Sequence, residues 1–338
     1  MSGGEMRLFA LGPSREFGSR VARGLGTDLA NHEERDFEDG EFKARPLVPV
    51  RGDDAYVIHS LHGEPGASAS DKLVRLAFFI GALRDAGAGR ITAVAPYLAF
   101  SRKDRRTKPR DPVNTRYVAE LLEAVGTDRV VTMDVHNDAA YENAFRIPAE
   151  HLELKATLAR YLADACPDAG ITVVSPDAGG MKRAEALRQT LSAVLERPIG
   201  RAFLEKYRSE DVLSGSTFVG DVDGRVAVIV DDLIASGSTM GRGAAACRSA
   251  GAKTVIAAAT HGLFTGRAED NLGSAPIDQL LLGDTVPPFR LRPDGALSSR
   301  LVSLPAHAVF AEAIGRLYEN RSLAELADYP PSGAPASP

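Results

Sequence analysis

Cysteine is nearly absent from this chain: Cys166 and Cys247 are the only two in 338 residues. Two thiols cannot build the disulfide framework of a small secreted scaffold, and they argue against a cysteine-rich zinc site. No apolar run approaches the ~20 residues that cross a bilayer. The opening MSGGEMRLFALG has neither the basic stretch nor the apolar core of a signal peptide. There is no Gly-Lys dipeptide, hence no Walker A lysine, and no GxGxxG fingerprint. Forty-five acidic against 40 basic side chains leave a net charge of −5, which does not suit bulk electrostatic binding of nucleic acid. The expectation is a reduced, soluble, cytoplasmic protein with neither a membrane nor a nucleic-acid partner.

What remains is an ordinary globular composition, 44% hydrophobic and 25% charged, and a length that suggests two domains at about 150 residues each. A rhythm of helix, glycine and short β-branched run recurs, as in DKLVRLAFFIGALRDAG followed by ITAVAPY. Gly87, Gly126 and Gly251 stand where helix ends need a left-handed residue. The runs that follow are continuous rather than alternating, which predicts strands covered on both faces and an α/β fold with parallel sheets. The rhythm fills 6–147 and resumes over 152–282, with RIPAEHLELKATLARYL read as a linker entering a helix. Val309, Ala313 and Leu317 run beside Phe310, Ile314 and Tyr318, one apolar stripe on a C-terminal helix. The Pro/Ser-rich end, 328–338, reads as a disordered tail.

The strongest local signal is RVAVIVDDLIASGSTMGRG. A buried strand, 226–230, is expected to end in Asp231 and Asp232, and a loop of Ser236, Gly237, Ser238 and Thr239 then opens a helix. Small side chains let backbone N–H groups approach an anion, hydroxyls add donors, and the helix N-terminus adds partial positive charge. A phosphate fits such a loop while adjacent carboxylates accept from sugar hydroxyls; the plain alternative is an N-cap after an ordinary strand.

Other expected strand ends carry polar groups, where open α/β sheets place ligands. Asp134 and His136 follow VVTM, and Asp177 sits in a Pro/Gly loop at a helix start, where N-capping is the simpler account. Six basic residues crowd 102–110, among them Arg102 and Lys103; in an acidic chain such a local cluster suits a polyphosphate. Lys206 and Arg208 lie in a polar stretch that by itself says only surface loop. The combination suits a phosphosugar, a polyphosphate nucleotide and an oxygen-loving cation such as Mg²⁺.

Taken in order, FEDGE, SRKDRR, TMDVHND, VSPDAGGMKRA, EKYR and VDDLIASGST resemble the ribose-phosphate pyrophosphokinase (phosphoribosyl pyrophosphate synthetase) family, over about 37–327. The resemblance implies two tandem phosphoribosyltransferase-like domains, each a mostly parallel sheet flanked by helices, at 1–150 and 151–327. It implies transfer of the β,γ-diphosphoryl group of MgATP to the 1-hydroxyl of ribose 5-phosphate, giving phosphoribosyl pyrophosphate and AMP. By position, Asp231 and Asp232 would hold the ribose hydroxyls and Ser236, Gly237, Ser238 and Thr239 the 5-phosphate. His136 and Asp177 would serve Mg²⁺, with ribose hydroxyls the alternative for Asp177. Phe37, Asp39 and Glu41 would contact adenine, Arg102 and Lys103 would face the nucleotide, and Lys206 and Arg208 would act on the transferring group. The FEDGE loop would reach a neighbouring subunit, which makes a dimer the smallest active unit.

Two other functions are weighed, a phosphoribosyltransferase, which would not need FEDGE, DVH and the EKYR loop together, and a non-catalytic regulatory paralogue, which the departures at Ala235 and Tyr207 keep open. Lys103 stands where many members have Gln, Tyr207 replaces an Arg, Ala235 an Asp and Ser238 a Gly; a ribose contact is thereby in doubt. The stretch SLPAHAVFAEAI puts Pro305 and His307 where the family carries a regulatory phosphate loop. Phosphate activation and ADP inhibition at that stretch are therefore expected to be weak or absent. Titrating phosphate and ADP against turnover checks this, and strong regulation that depends on 303–314 refutes it.

Overall fold

A computed structural model describes residues 4–206 and 216–327. The chain forms two compact units, Met1–Glu153 with His307–Ala324, and Leu154–Ala306 with Glu325–Pro338. The apolar runs become inner strands of two sheets, because a strand covered on both faces has no polar side to show.

The first unit holds β1 (Met6–Ala10), α1 (Arg15–Gly24), the antiparallel hairpin β2 (His32–Asp36) and β3 (Phe42–Pro46), β4 (Asp54–Ile58) and α2 (Ala69–Asp85). Then come β5 (Arg90–Ala95), α3 (Asn114–Ala124), β6 (Arg129–Met133), α4 (Asp138–Ala144) and β7 (Ala149–Leu152). Its five-stranded sheet is parallel throughout, in the order β1-β4-β5-β6-β7. Each crossover thus steps the same way, and the order never reverses. Helix α2 begins in a capping box: Ser68 Oγ accepts from Asp71 N, and the Asp71 carboxylate accepts from Ser68 N. The hairpin is fastened to α2, where the Arg75 guanidinium lies 4.4 Å over the Phe42 ring and 3.4 Å from Glu34.

The second unit holds α5 (Lys155–Ala165), β8 (Ile171–Ser175), α6 (Met181–Leu195), β9 (Gly200–Lys206), β10 (Ser216–Gly220), β11 (Val226–Ile234) and α7 (Ser238–Ser249). It continues through β12 (Thr254–Gly262), α8 (Ala268–Gly273), β13 (Gln279–Gly283) and β14 (Leu301–Leu304). The sheet order is β10-β9-β8-β11-β12-β13-β14, antiparallel only between β10 and β9. From β8 the chain first builds outward to β9 and β10, then returns to lay β11 on the opposite side. The sheet therefore has a switch point between β8 and β11, and the carboxyl ends of such a strand pair leave a crevice for ligands.

Three expectations are revised. The stretch read as a linker after Pro148 contains β7, whose pairs Val130–Ala149 to Met133–Leu152 extend the first sheet; four residues of a half-exposed edge strand leave no periodic signal. Strand β11 continues to Ile234 because its pairing with β12 runs on through Asp231–Ala259 and Ile234–Gly262, so the acidic pair lies within the strand. The C-terminal helix α9 (Ala306–Tyr318) has the expected stripe, with Val309, Phe310, Ala313, Ile314 and Leu317 buried. It nevertheless belongs to the first unit rather than to a second domain spanning 151–327. Phe310 meets the Phe17 ring edge-on at 5.6 Å, and a Cβ on Gly24 would come within 2.8 Å of Ala311 Cβ. Gly87, Gly126 and Gly251 do take φ near +90°, each just past a helix. No helix among the described residues is long and apolar enough to cross a membrane. The stretch 328–338 lies outside the described residues.

At the carboxyl end of β4, His59 is buried, with Nδ1 3.2 Å from Ser14 Oγ and no hydrogen-bond partner for Nε2 among the described residues. Burial, and then the nearby Lys72 ammonium, push its imidazole down from 6.5 to about 3. The unfolded chain takes up this proton near the ordinary value and the folded chain does not. Stability is therefore retained above that value and falls by about 1.4 kcal/mol per pH unit below it. Melting temperatures measured at about pH 7.5 and about pH 5.5 should show a smaller drop in His59→Asn than in the parent chain; equal drops would place the acid sensitivity elsewhere.

Candidate active site

The switch point gathers the second unit's polar residues. Leaving β8, the chain turns through Pro176 and Asp177 into α6. Asp177 Oδ1 accepts from the backbone N–H groups of Gly179 (3.0 Å) and Gly180 (3.1 Å), and Ser175 Oγ donates to the Asp177 carbonyl at 2.6 Å. One carboxylate oxygen thus shapes the loop before the helix, but Asp177 is not its N-cap: that position is Gly180, and no side chain caps α6. Next to this loop, β11 carries Asp231 and Asp232. Asp232 is buried and Asp231 half-buried, and the Asp232 N–H donates to Asp231 Oδ1 at 2.9 Å.

The residue that the sequence motifs left without a role is Arg183, in the first turn of α6. Its Nη1 lies 3.5 Å from Asp231 Oδ1 and 3.6 Å from Asp232 Oδ1. Burial first, and then the adjoining Asp232 carboxylate, push the Asp231 carboxyl well above the usual range; Arg183 pulls against that shift. A signal for Arg183 was present in the sequence. Lys182 and Arg183 occupy the first turn of a helix with no acidic residue there, where the helix dipole disfavours cations.

Beyond the pair, the chain enters α7 through the hydroxyl loop. Gly237 takes φ +72° and has no room for a side chain, since a Cβ would stand 2.6 Å from Leu272 Cγ. Ser236 Oγ and Ser238 Oγ converge to 3.1 Å, and Asn271, a second residue unmarked by any motif, donates to the Ser236 carbonyl at 2.7 Å. No side chain caps α7, so its first-turn N–H groups are turned toward whatever anion the loop receives. Neighbouring carboxylate acceptors and an anion cradle are what a phosphorylated polyol requires.

In the first unit, the expected residues fall into two places at the sheet's carboxyl edge and its hairpin. The basic loop after β5 is organised by Asp111, also unmarked in the sequence. Its Oδ2 accepts from Lys103 Nζ (2.5 Å), Thr107 N (3.1 Å), Thr107 Oγ1 (2.8 Å) and Lys108 N (3.0 Å). The Lys103 and Thr107 bonds hold this carboxyl far below the ordinary range. Lys103 is accordingly engaged within the loop, whereas Arg102 is exposed. Asn137 Nδ2 donates to Asp104 at 2.6 Å, which ties the basic loop to the loop after β6 where exposed His136 sits. Asp134, at the start of that second loop, adopts φ +41°, a conformation that side chains other than glycine take at some cost.

Phe37, Asp39 and Glu41 occupy the exposed tip between β2 and β3, turned by Gly40 at φ +90°. Asp39 Oδ1 accepts from Glu41 N at 3.1 Å, and Arg35 lies 5.2 Å from the Phe37 ring centroid. Lys206 closes β9; Tyr207 and Arg208 lie outside the described residues. Among the described residues, no three His, Cys, Asp or Glu side chains cluster as a ready metal cage.

Residues 6–126 match the family model described as the N-terminal domain of ribose phosphate pyrophosphokinase, and 208–327 the phosphoribosyl synthetase-associated domain. The ribose-phosphate pyrophosphokinase of Caldanaerobacter subterraneus subsp. tengcongensis is 35% identical over 322 residues, covering 95% of this chain and 97% of that one. That of Clostridium tetani is 35% identical over 326 residues, covering 96% and 97%. The crystal structure of phosphoribosylpyrophosphate synthetase from Mycobacterium smegmatis superposes with a TM-score of 0.83 at 31% identity, over 94% of this chain and 99% of that one. With both family models in register and similarity running nearly end to end, the chain belongs to the ribose-phosphate pyrophosphokinase family.

Proposed function

We propose that this chain is a ribose-phosphate diphosphokinase that moves the β,γ-diphosphoryl group of ATP to the 1-hydroxyl of ribose 5-phosphate, giving phosphoribosyl pyrophosphate and AMP. The observation that carries the reading is the pairing, at the switch point of the second sheet, of two carboxylates with an uncapped hydroxyl loop, in a chain of this family. Asp231 and Asp232 accept from the ribose hydroxyls. Ser236, Ser238, Thr239 and the first turn of α7 receive the 5-phosphate, with Gly237 keeping the backbone close to it. Ala235 supplies no carboxylate here, so the sugar relies on the paired acids.

Arg102 faces the polyphosphate, while Lys103 acts through Asp111 by shaping the loop that presents it. Phe37 offers a ring for adenine, with Asp39 and Glu41 beside it on a hairpin exposed enough to serve a neighbouring subunit; a dimer is then the smallest active unit. His136 and the unengaged oxygen of Asp177 suit Mg²⁺, which keeps several waters and usually takes one or two protein ligands plus substrate phosphates. When bound, Mg²⁺ supplies charge neutralisation on the diphosphoryl oxygens. Lys206 and Arg208 add positive charge to the group in flight, so positioning and electrostatics supply most of the rate. Such an enzyme works in the cytoplasm.

Incubating the protein with ATP, ribose 5-phosphate and Mg²⁺ should release AMP. No AMP, but binding of a purified family enzyme, would favour a regulatory paralogue, and consumption of phosphoribosyl pyrophosphate with a nucleobase would favour a phosphoribosyltransferase. Lys206→Ala should lower turnover by roughly 10²–10³-fold with ATP binding kept; unchanged turnover would remove Lys206 from the reaction.

A further inference from the structure

Two adjacent residues of a strand ordinarily point to opposite faces. Asp231 and Asp232 do not separate in that way: an oxygen of each lies within 3.6 Å of the same nitrogen, Arg183 Nη1. The convergence has two visible causes. The Asp232 N–H holds Asp231 Oδ1 back against the strand at 2.9 Å. The Arg183 guanidinium, three-quarters buried, stands between the two carboxylates from the first turn of α6.

We propose that Arg183 is a positioning residue for sugar binding, its guanidinium holding Asp231 and Asp232 side by side as a paired acceptor for vicinal ribose hydroxyls. This rests on the reading of the acidic pair as the ribose contact. Two carboxylates so close repel each other, and burial, with the neighbouring carboxylate, already favours a proton on Asp231. A proton there turns an acceptor into a donor, and the sugar hydroxyls, which must donate to be held, lose a partner. The arginine opposes both effects. Because Arg183 leaves the Asp177 loop on the same helix, it also ties the helix carrying that loop to the strand carrying the acids.

The test separates this role from general support of the fold. Arg183→Gln should raise KM for ribose 5-phosphate by roughly 10–100-fold, the loss of a charge-assisted contact, and leave KM for ATP within about twofold. Arg183→Lys keeps the charge but not the planar fork, and should recover a large part of the ribose 5-phosphate KM. Unchanged KM for ribose 5-phosphate in the Gln variant, or equal rises for both substrates, would overturn the proposal. Should the Gln variant fail to fold, the Lys variant decides: a severalfold rise confined to ribose 5-phosphate supports the role, and a rise shared with ATP refutes it. Titrating ribose 5-phosphate into the full-length protein by calorimetry makes the two levels distinguishable. A parent chain that binds no ribose 5-phosphate defeats the ribose reading itself, whereas equal binding by parent and Arg183→Gln defeats only Arg183.

Discussion

Reversal of strand order between β8 and β11 is the constraint on which the second unit depends. Parallel strands need long crossovers, and most crossovers seal the carboxyl edge they leave behind. Where the chain turns back on its own starting strand, two loops depart in opposite directions and a gap stays open between them. Asp177 leaves one side of this gap, and Asp231 with Asp232 stands on the other. Arg183 crosses it. The first sheet has no such reversal, and its polar residues rest on loops stitched together by side chains, Asp111 within the basic loop and Asn137 between loops.

The two units therefore solve a positioning problem by different means. In the second, topology and backbone carry the geometry, and single substitutions at Gly237 or Asp177 would distort it at the source. In the first, a few partly buried charged contacts hold a loop and a hairpin. Single ion pairs near the surface contribute little and are screened by salt, whereas Asp111 receives several donors at once.

Much of this was legible beforehand because it follows local rules. Continuous apolar runs reported doubly covered strands, helix-ending glycines reported left-handed turns, and the loop at 236–239 reported a helix start, though not that no side chain caps it. Residues whose work depends on a folded partner left at most a faint trace, such as the basic pair in the first turn of α6. Arg183 and Asp111 look like ordinary surface charges until the chain is folded, because their meaning lies in which carboxylate or ammonium arrives opposite them. β7 escaped detection for a related reason: an edge strand of four mixed residues is defined by its neighbour, not by its own pattern. The stripe on α9 announced a buried face but could not say which sheet would bury it, since periodicity records that a face is covered and not by what.

Helix α9 closes over Phe17 and Gly24, so the first unit draws its covering from residues synthesised after nearly everything else. During translation, α1 emerges early and waits with its apolar side unmatched while the whole second unit is being added. Domains that are continuous in sequence can fold as they leave the ribosome; this first unit cannot finish in that way. Its completion waits for α9, which follows the whole second unit in the chain, and a chain lacking that helix would carry an open face on α1.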